Sequence, residues 1–243
     1  MHQEEATPAA CAVHCADCAV RRLCLPMELG TADVDKLDHI VGRRFPLAQG
    51  ELLYRTGSPF ASLYAVREGQ FKAYRVNRDG SEQVTGFHFS GQLLGLDAIG
   101  SGVHSCEVVA LQDCSVCELP FADLEALLAK MPALRQQFHR MVGEEIARMQ
   151  SVVLLLGKMK ARQRLATLIV RAASVYEARG YSIEKFQLRM THEDLSNYLG
   201  MTRECVSRQL TKFKQEGLVK VAPRELEVLD LAAIKTIAAG KAP

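Results

Sequence analysis

Five turn signals beat through the first half of the chain: Gln49-Gly50, Thr56-Gly57, Glu68-Gly69, Asp79-Gly80 and Ser90-Gly91, at gaps of 7, 12, 11 and 11 residues. That spacing belongs to short antiparallel strands joined by hairpins. The stretches SLYAVREG, FKAYRV and EVVALQDCSVCELP are rich in Val, Leu, Tyr and Phe and partly alternate, as suits a pleated, half-buried surface. Residues 44–120 are therefore expected to form a β-roll or barrel, with Asp79-Gly80 as a two-residue hairpin turn.

From Pro132 to about Met159 the period changes. Leu134, Phe138, Val142, Ile146, Met149, Val153 and Leu156 recur at steps of three or four, the mark of one apolar helix face. Proline fits a first helical turn, and about 28 residues at ~1.5 Å each give roughly 42 Å, more than one small domain needs to cover itself. The stripe suits a core helix lying on the barrel or a coiled-coil dimer seam. The pattern alone does not choose between them.

After an apolar helix, RLATLIVRAASVYEA, and a polar turn around Gly180 comes MTHEDLSNYLGMTRECVSRQLTKFKQEGLVKV. Thr191 followed by Asp194 reads as a capping box, Leu195, Tyr198 and Leu199 form a short apolar face, and Gly200 breaks the helix. Thr202 can cap a second helix with Val206, Leu210 and Phe213 inward and Arg203, Glu204, Ser207, Arg208 and Lys212 toward solvent. The small Ser196 lies where two crossed helices would approach. Arg can hold guanine O6 and N7 together, Glu accepts from the cytosine amino group, and Ser serves either role. DNA reading explains this face better than a solvated surface with a Glu204–Arg208 pair. LVKVAPRELEVLD is expected to add a two-stranded wing around Pro223-Arg224-Glu225.

Charge agrees. From Lys160 onward fifteen Lys and Arg face nine Asp and Glu, net +6, while the upstream part carries −4. A basic segment suits a polyanionic partner. At 243 residues and 48% apolar content the chain can bury a core for two small domains. No tract approaches the ~18 apolar residues of a membrane span, and MHQEEATPAA is unlike a secretory signal, so a cytoplasmic protein without membrane association is expected.

CAVHCADCAVRRLC, residues 11–24, packs four of eight cysteines into fourteen positions. In such a chain clustered thiols favour metal or redox chemistry over disulfides. Cys11, Cys15, Cys18 and Cys24 would suffice for a local zinc site. Cys106, Cys114 and Cys205 read as small apolar residues, and His14 as a neighbour of the cysteines rather than a ligand.

A β-roll, a long apolar helix and a winged helix-turn-helix, in that order, resemble the CRP/FNR family of bacterial transcription regulators over nearly the whole chain. GFHFSGQLLGLDAIGSG, MPALRQQ, LLLGK and NYLGMTRECVSR are similar to the FNR branch, which senses oxygen with an iron–sulfur cluster. The resemblance implies an α+β protein: a cysteine-rich cluster-binding segment over 1–28, a cyclic-nucleotide-binding-like sensory β-roll over 29–128, a dimerisation helix over 129–159 and a winged helix-turn-helix over 160–243. It implies that Cys15, Cys18, Cys24 and, from SVCELPF, Cys117 bind a [4Fe–4S] cluster, with Cys11 left out. Closely spaced thiolates can wrap one side of a cubane while a distant one ties the loop to the folded domain. Arg21 and Arg22 are near enough to offset cluster charge, or are simply solvated.

The same resemblance implies a homodimer joined through Phe138, Val142, Ile146, Met149, Val153 and Leu156. Its partners would be double-stranded DNA with TTGAT-type inverted repeats and RNA polymerase, touched by the loop from Asp97 to Gly102. Some relatives hold an acidic residue where Met149 stands. Cyclic-nucleotide members use a Glu and an Arg-Ser pair to hold ribose and phosphate. Here Asp97, His104 and Ser105 stand instead, so no cyclic-nucleotide binding is expected. No enzyme activity is implied. The expected function is an oxygen-responsive regulator inactivated by oxidative cluster loss; a zinc-stabilised constitutive DNA-binding regulator is the alternative.

Overall fold

The computed structural model describes residues 14–178, 185–186, 189–222 and 225–241. Cys11, the turn around Gly180 and the wing tip at Pro223-Arg224 lie outside the described residues. The chain forms two compact units, one of the residues up to Arg75 with Phe87–Val142, the other of Val76–Gly86 with Gly143 onward.

Helix α1 (Thr31–His39) precedes strands β1 (Arg43–Leu47), β2 (Leu52–Tyr54), β3 (Ser62–Glu68), β4 (Gln70–Val76), β5 (Glu82–Phe89), β6 (Leu93–Leu94), β7 (Glu107–Ala110) and β8 (Cys114–Pro120). They make two four-stranded sheets, ordered β1-β8-β3-β6 and β2-β7-β4-β5. The expected roll is present. Val66, Phe71, Val108 and Val116 are fully buried within it, the inward members of alternating strands. All five glycines of the turn beat have positive φ, and at Gly69 a Cβ would lie 2.3 Å from the Cys114 sulfur. Only glycine fits there.

The hairpin turn differs from expectation. Asn77 N–H donates to Ser81 O at 2.8 Å and Gly80 N–H to Asn77 O at 3.0 Å, so the loop holds three residues, Arg78 to Gly80. The Asp79 carboxylate accepts from both the Ser81 N–H and its hydroxyl, which favours the longer turn ending in a left-handed glycine.

Helices α2 (Phe121–Lys130) and α3 (Pro132–Lys158) follow β8. Leu124, Leu128, Leu134, Phe138 and Met141 join Val34 and Leu37 of α1, Leu25 and Leu63 in a second core. Phe138, 8% exposed, belongs to this core. Each four-residue step overshoots a helical turn by about 40°, so the stripe from Leu134 to Ile146 winds from core to solvent. Ile146, Met149 and Val153 are 53%, 56% and 72% exposed. Leu156, half-buried, turns toward Gly200, where a Cβ would lie 3.0 Å from its methyl group, because the three-residue step from Val153 falls short of a turn. Val142 is half-buried against the second core.

The second unit continues with α4 (Ala161–Ala178), β9 (Lys185–Phe186), α5 (His192–Leu199), α6 (Arg203–Gln215), β10 (Val219–Ala222), β11 (Glu225–Val228) and α7 (Leu231–Ala238). The wing is a three-stranded sheet, β10-β11-β9; β9 is an addition to the expected two strands. Thr191 and Asp194 form the reciprocal capping box, Gly200 adopts the left-handed conformation, and the Thr202 hydroxyl accepts from Cys205 N–H. Leu195, Tyr198, Leu199, Val206, Leu210 and Phe213 are buried, and so is Ser196. Two crossed helices therefore present the outer face of α6.

Candidate functional site

Cys15 begins a short 3-10 helix, Cys15–Asp17, and Cys24 ends another, Arg21–Leu23. These two turns bring Cys15, Cys18 and Cys24 to one apolar pocket whose other wall is Cys117 on β8, with Val20, Leu37, Ala65 and Leu119. Sequence neighbours and a residue some ninety positions away thus meet at one place. Cys106 and Cys114 are buried elsewhere in the roll core, and Cys205 is half-buried on α6.

The loop is anchored by groups that sequence reasoning missed. The Asp38 carboxylate on α1 accepts from Cys15 N–H at 2.8 Å and binds His14 Nδ1 at 2.6 Å and the Arg44 guanidinium. His14 is thus turned onto Asp38. Burial opposes Asp38 ionisation, but the hydrogen bonds from His14 and Cys15 and the charge of Arg44 outweigh it and bring the carboxyl down to about 2. Arg44 stands opposite Cys117 in the β1–β8 register. Its charge opposes the burial that raises the Cys117 thiol. Burial, then the Asp38 carboxylate, push the Cys15 thiol up to about 12, and burial raises Cys24 as well. Thiols held protonated by an apolar wall become good ligands once a bound cation takes the place of their protons.

Of the arginines expected to balance charge, Arg21 lines the pocket and donates to Ala16 O and Leu29 O, while Arg22 is exposed. Arg44 fills that part better. Its sign in the sequence was only a charged residue at the head of the first strand. Gly91 completes the mounting: with φ +91°, a Cβ there would lie 2.6 Å from Leu23 Cβ and 3.1 Å from Leu23 O, so the loop rests directly on the β5–β6 turn.

The second site is the open face of α6. Arg203, Glu204, Ser207, Arg208 and Lys212 line one shallow groove together with His192, Thr211 and Gln215. All five expected residues are exposed. Arg203 pairs with Glu193 across the two helices, and no ion pair joins Glu204 to Arg208 among the described residues. The groove therefore offers a guanidinium, a carboxylate and hydroxyls to base edges, flanked by Lys212 for phosphate.

In the roll, Asp97 accepts from Ser105 N–H at 2.7 Å and its hydroxyl at 3.0 Å. His104 stacks on Tyr54 with centroids 3.8 Å apart. These groups are turned on one another. Among the described residues no helix is long and apolar enough to cross a membrane.

The chain matches the families described as "Cyclic nucleotide-binding domain" over residues 44–131 and "Crp-like helix-turn-helix domain" over residues 163–237. It is 42% identical over 228 residues, 94% of this chain and 91% of the relative, to the fumarate and nitrate reduction regulatory proteins of Salmonella typhimurium and Escherichia coli K12. Among solved structures it resembles FixK2 from Bradyrhizobium japonicum, with a TM-score of 0.71 at 25% identity over 79% of this chain and 95% of that one. A CRP-family transcriptional regulator from Thermus thermophilus shares the fold, with a TM-score of 0.63 at 22% identity over 82% and 97%.

Proposed function

The chain belongs to the CRP/FNR family of transcription regulators, and from that premise we propose that it is an oxygen-responsive regulator binding DNA as a [4Fe–4S]-loaded homodimer. It is a DNA-binding regulator and not an enzyme, as its relatives are. The relatives named for fumarate and nitrate reduction support a role in anaerobic regulation, exerted in the cytoplasm where the DNA lies.

The observation that carries the cofactor reading is the shared pocket of Cys15, Cys18, Cys24 and Cys117. Four soft sulfur donors suit iron–sulfur or zinc. Among the described residues no three His, Cys, Asp or Glu side chains converge as they would around one ion. The fourth donor of this pocket, Cys117, comes from β8 and not from the loop, which suits a cluster that ties the loop to the folded domain better than a zinc site made by the loop's own cysteines. Held by Cys15, Cys18, Cys24 and Cys117, a cluster would supply an oxygen-sensitive link between the N-terminal loop and β8. Arg44 offsets thiolate charge, Asp38 and Gly91 hold the loop in register, and the apolar wall keeps water away.

Ile146, Met149 and Val153 give the free face for a second copy of the chain, and the twofold pair would set its α6 helices about one DNA turn apart, matching an inverted repeat of TTGAT half-sites. The loop from Asp97 to Gly102 is proposed to contact RNA polymerase. No cyclic nucleotide is expected to bind: His104 and Ser105 stand where cyclic-nucleotide members carry an Arg-Ser pair, so a cyclic phosphate would lose its main charge partner.

Anaerobically purified protein should show a broad absorption band at the blue end of the visible range, with iron and sulfide bound. Cys117→Ala should abolish both while Cys11→Ala spares them. A colourless, zinc-bearing protein, or loss of iron with Cys11→Ala and not with Cys117→Ala, would overturn the reading in favour of a local four-cysteine site.

A further inference from the structure

Each end of the cysteine loop is tied to a different helix. Cys15 is held by Asp38 of α1, whereas Cys24 is held from α3. The Gln137 side chain donates from Nε2 to Cys24 O at 3.2 Å, and its Oε1 accepts from Arg140 Nε at 3.0 Å. Arg140 in turn reaches the Met27 sulfur, three residues beyond Cys24. Gln137 is only 5% exposed, a polar side chain set among Leu134, Phe138 and Met141. A buried amide with both ends engaged fixes its neighbours in one arrangement, because giving up either partner leaves a desolvated group unpaired.

The position on the helix matters as much as the bond. Gln137 and Ile146 are nine residues apart, about two and a half turns and ~13 Å along the helix. The amide therefore projects from the side opposite the exposed Ile146, Met149 and Val153, on one uninterrupted helix. A rigid helix turns as one body. A shift of the Cys24 carbonyl that draws Gln137 with it rotates or slides the seam face at the other end.

We infer that Gln137 is a positioning residue that carries the state of the cysteine loop to the dimer-forming face of α3. This rests on the cluster reading above. While Cys24 is held as a ligand, its carbonyl is fixed and Gln137 holds α3 in one setting. When the thiolate is released, the residues around Cys24 can move, and the α3 setting is no longer enforced. Neither the chain's thiol ligands nor its DNA face includes Gln137, so its removal separates transmission from sensing and reading.

The test uses full-length Gln137→Met, which keeps length and burial but loses the amide, and Gln137→Glu, which keeps shape but turns the donor into an acceptor facing a carbonyl. Sedimentation equilibrium is run on cluster-loaded protein under nitrogen and on iron-free protein, with iron, sulfide and absorbance measured in parallel. In the wild type the loaded form should dimerise more tightly, by a factor in the range of about 5–150 typical of such coupling. Both variants should bind iron and sulfide as the wild type does, while that factor falls toward one. An unchanged factor in a folded variant overturns the inference and leaves the cluster reading standing. Loss of iron from a folded variant also overturns it, since Gln137 would then only support the ligand set. A wild type that takes up no iron and sulfide removes the premise and overturns both.

Discussion

Met149→Asp tests the seam most directly. Met149 is 56% exposed on a single chain, and complete burial of a Met side chain contributes roughly 1.5–3 kcal/mol. Covering the exposed part in a dimer therefore supplies about 1–1.5 kcal/mol per protomer, or about 2–3 kcal/mol for the pair. Losing it alone weakens dimerisation by a factor of roughly 30–150. The two carboxylates would also face each other across the twofold axis. At ~4 Å this repulsion costs about 1 kcal/mol in water and up to ~4 kcal/mol near a protein surface. Sedimentation of the iron-free protein should show the variant shifted to monomer, and its thermal midpoint at low concentration should match that of the wild-type monomer, because the residue is mostly in water there. An unchanged monomer–dimer balance with a lowered midpoint would refute the reasoning, since Met149 would then be stabilising the single chain.

Three further outcomes are expected. Arg208→Ala should cost ~1–3 kcal/mol on a TTGAT-type site and relax preference at the guanine; in fluorescence anisotropy with matched and random duplexes, equal losses on both would exclude base reading by Arg208. Asp38→Ala removes the acceptor for Cys15 N–H and the partner of Arg44, at about 1–3 kcal/mol, so iron-free protein should melt earlier and Cys15 should alkylate faster; wild-type labelling kinetics would contradict the anchoring. Gly91→Ala and Gly80→Ala both force alanine into a left-handed conformation, costing about 1–2 kcal/mol, but only at Gly91 does the new Cβ meet Leu23, adding roughly 1–3 kcal/mol of overpacking. Calorimetry should rank Gly91→Ala clearly below Gly80→Ala in stability, and equal midpoints would show that the loop does not rest on that turn.

What could be read from the sequence was local. The turn beat, the run from Pro132 to Lys158 and the Thr191 and Thr202 caps each state their structure within a few residues, and all three are present in the fold. Helix α1 was missed because its core face consists of only Val34 and Leu37, too few to set a period. Strand β9 is two residues long and exists through its pairing with β11. The seam was half legible: an apolar residue every three or four positions gives a face, but the 40° drift that sends Phe138 into the core and leaves Val153 in solvent shows only against a neighbour. The four cysteines of the pocket came from family resemblance, whereas Arg44 shows only as a charged residue at the head of a strand, and Asp38 and Gln137 carry no sequence sign. Each becomes meaningful through a partner at long range, Cys117, Cys15 and Cys24.

The magnitudes explain why such a pocket could govern assembly. Ile146, Met149 and Val153 are exposed by about half to three-quarters, so burying them supplies about 1–2 kcal/mol each and about 6–12 kcal/mol over the six side chains of a dimer. Lost translational and rotational freedom costs an estimated 4–15 kcal/mol. Gain and cost are of one size, and the seam stands near balance. A seam with a large surplus would stay closed whatever the cysteine loop did, and one with a large deficit would never close. Near balance, a coupling of 1–3 kcal/mol changes the dimer population severalfold to a hundredfold. A few hydrogen bonds are worth that much. The tie from Cys24 through Gln137 to α3 is therefore of the right size to decide between one chain and two, and an acidic residue at position 149 would tip the same balance by charge instead of by position.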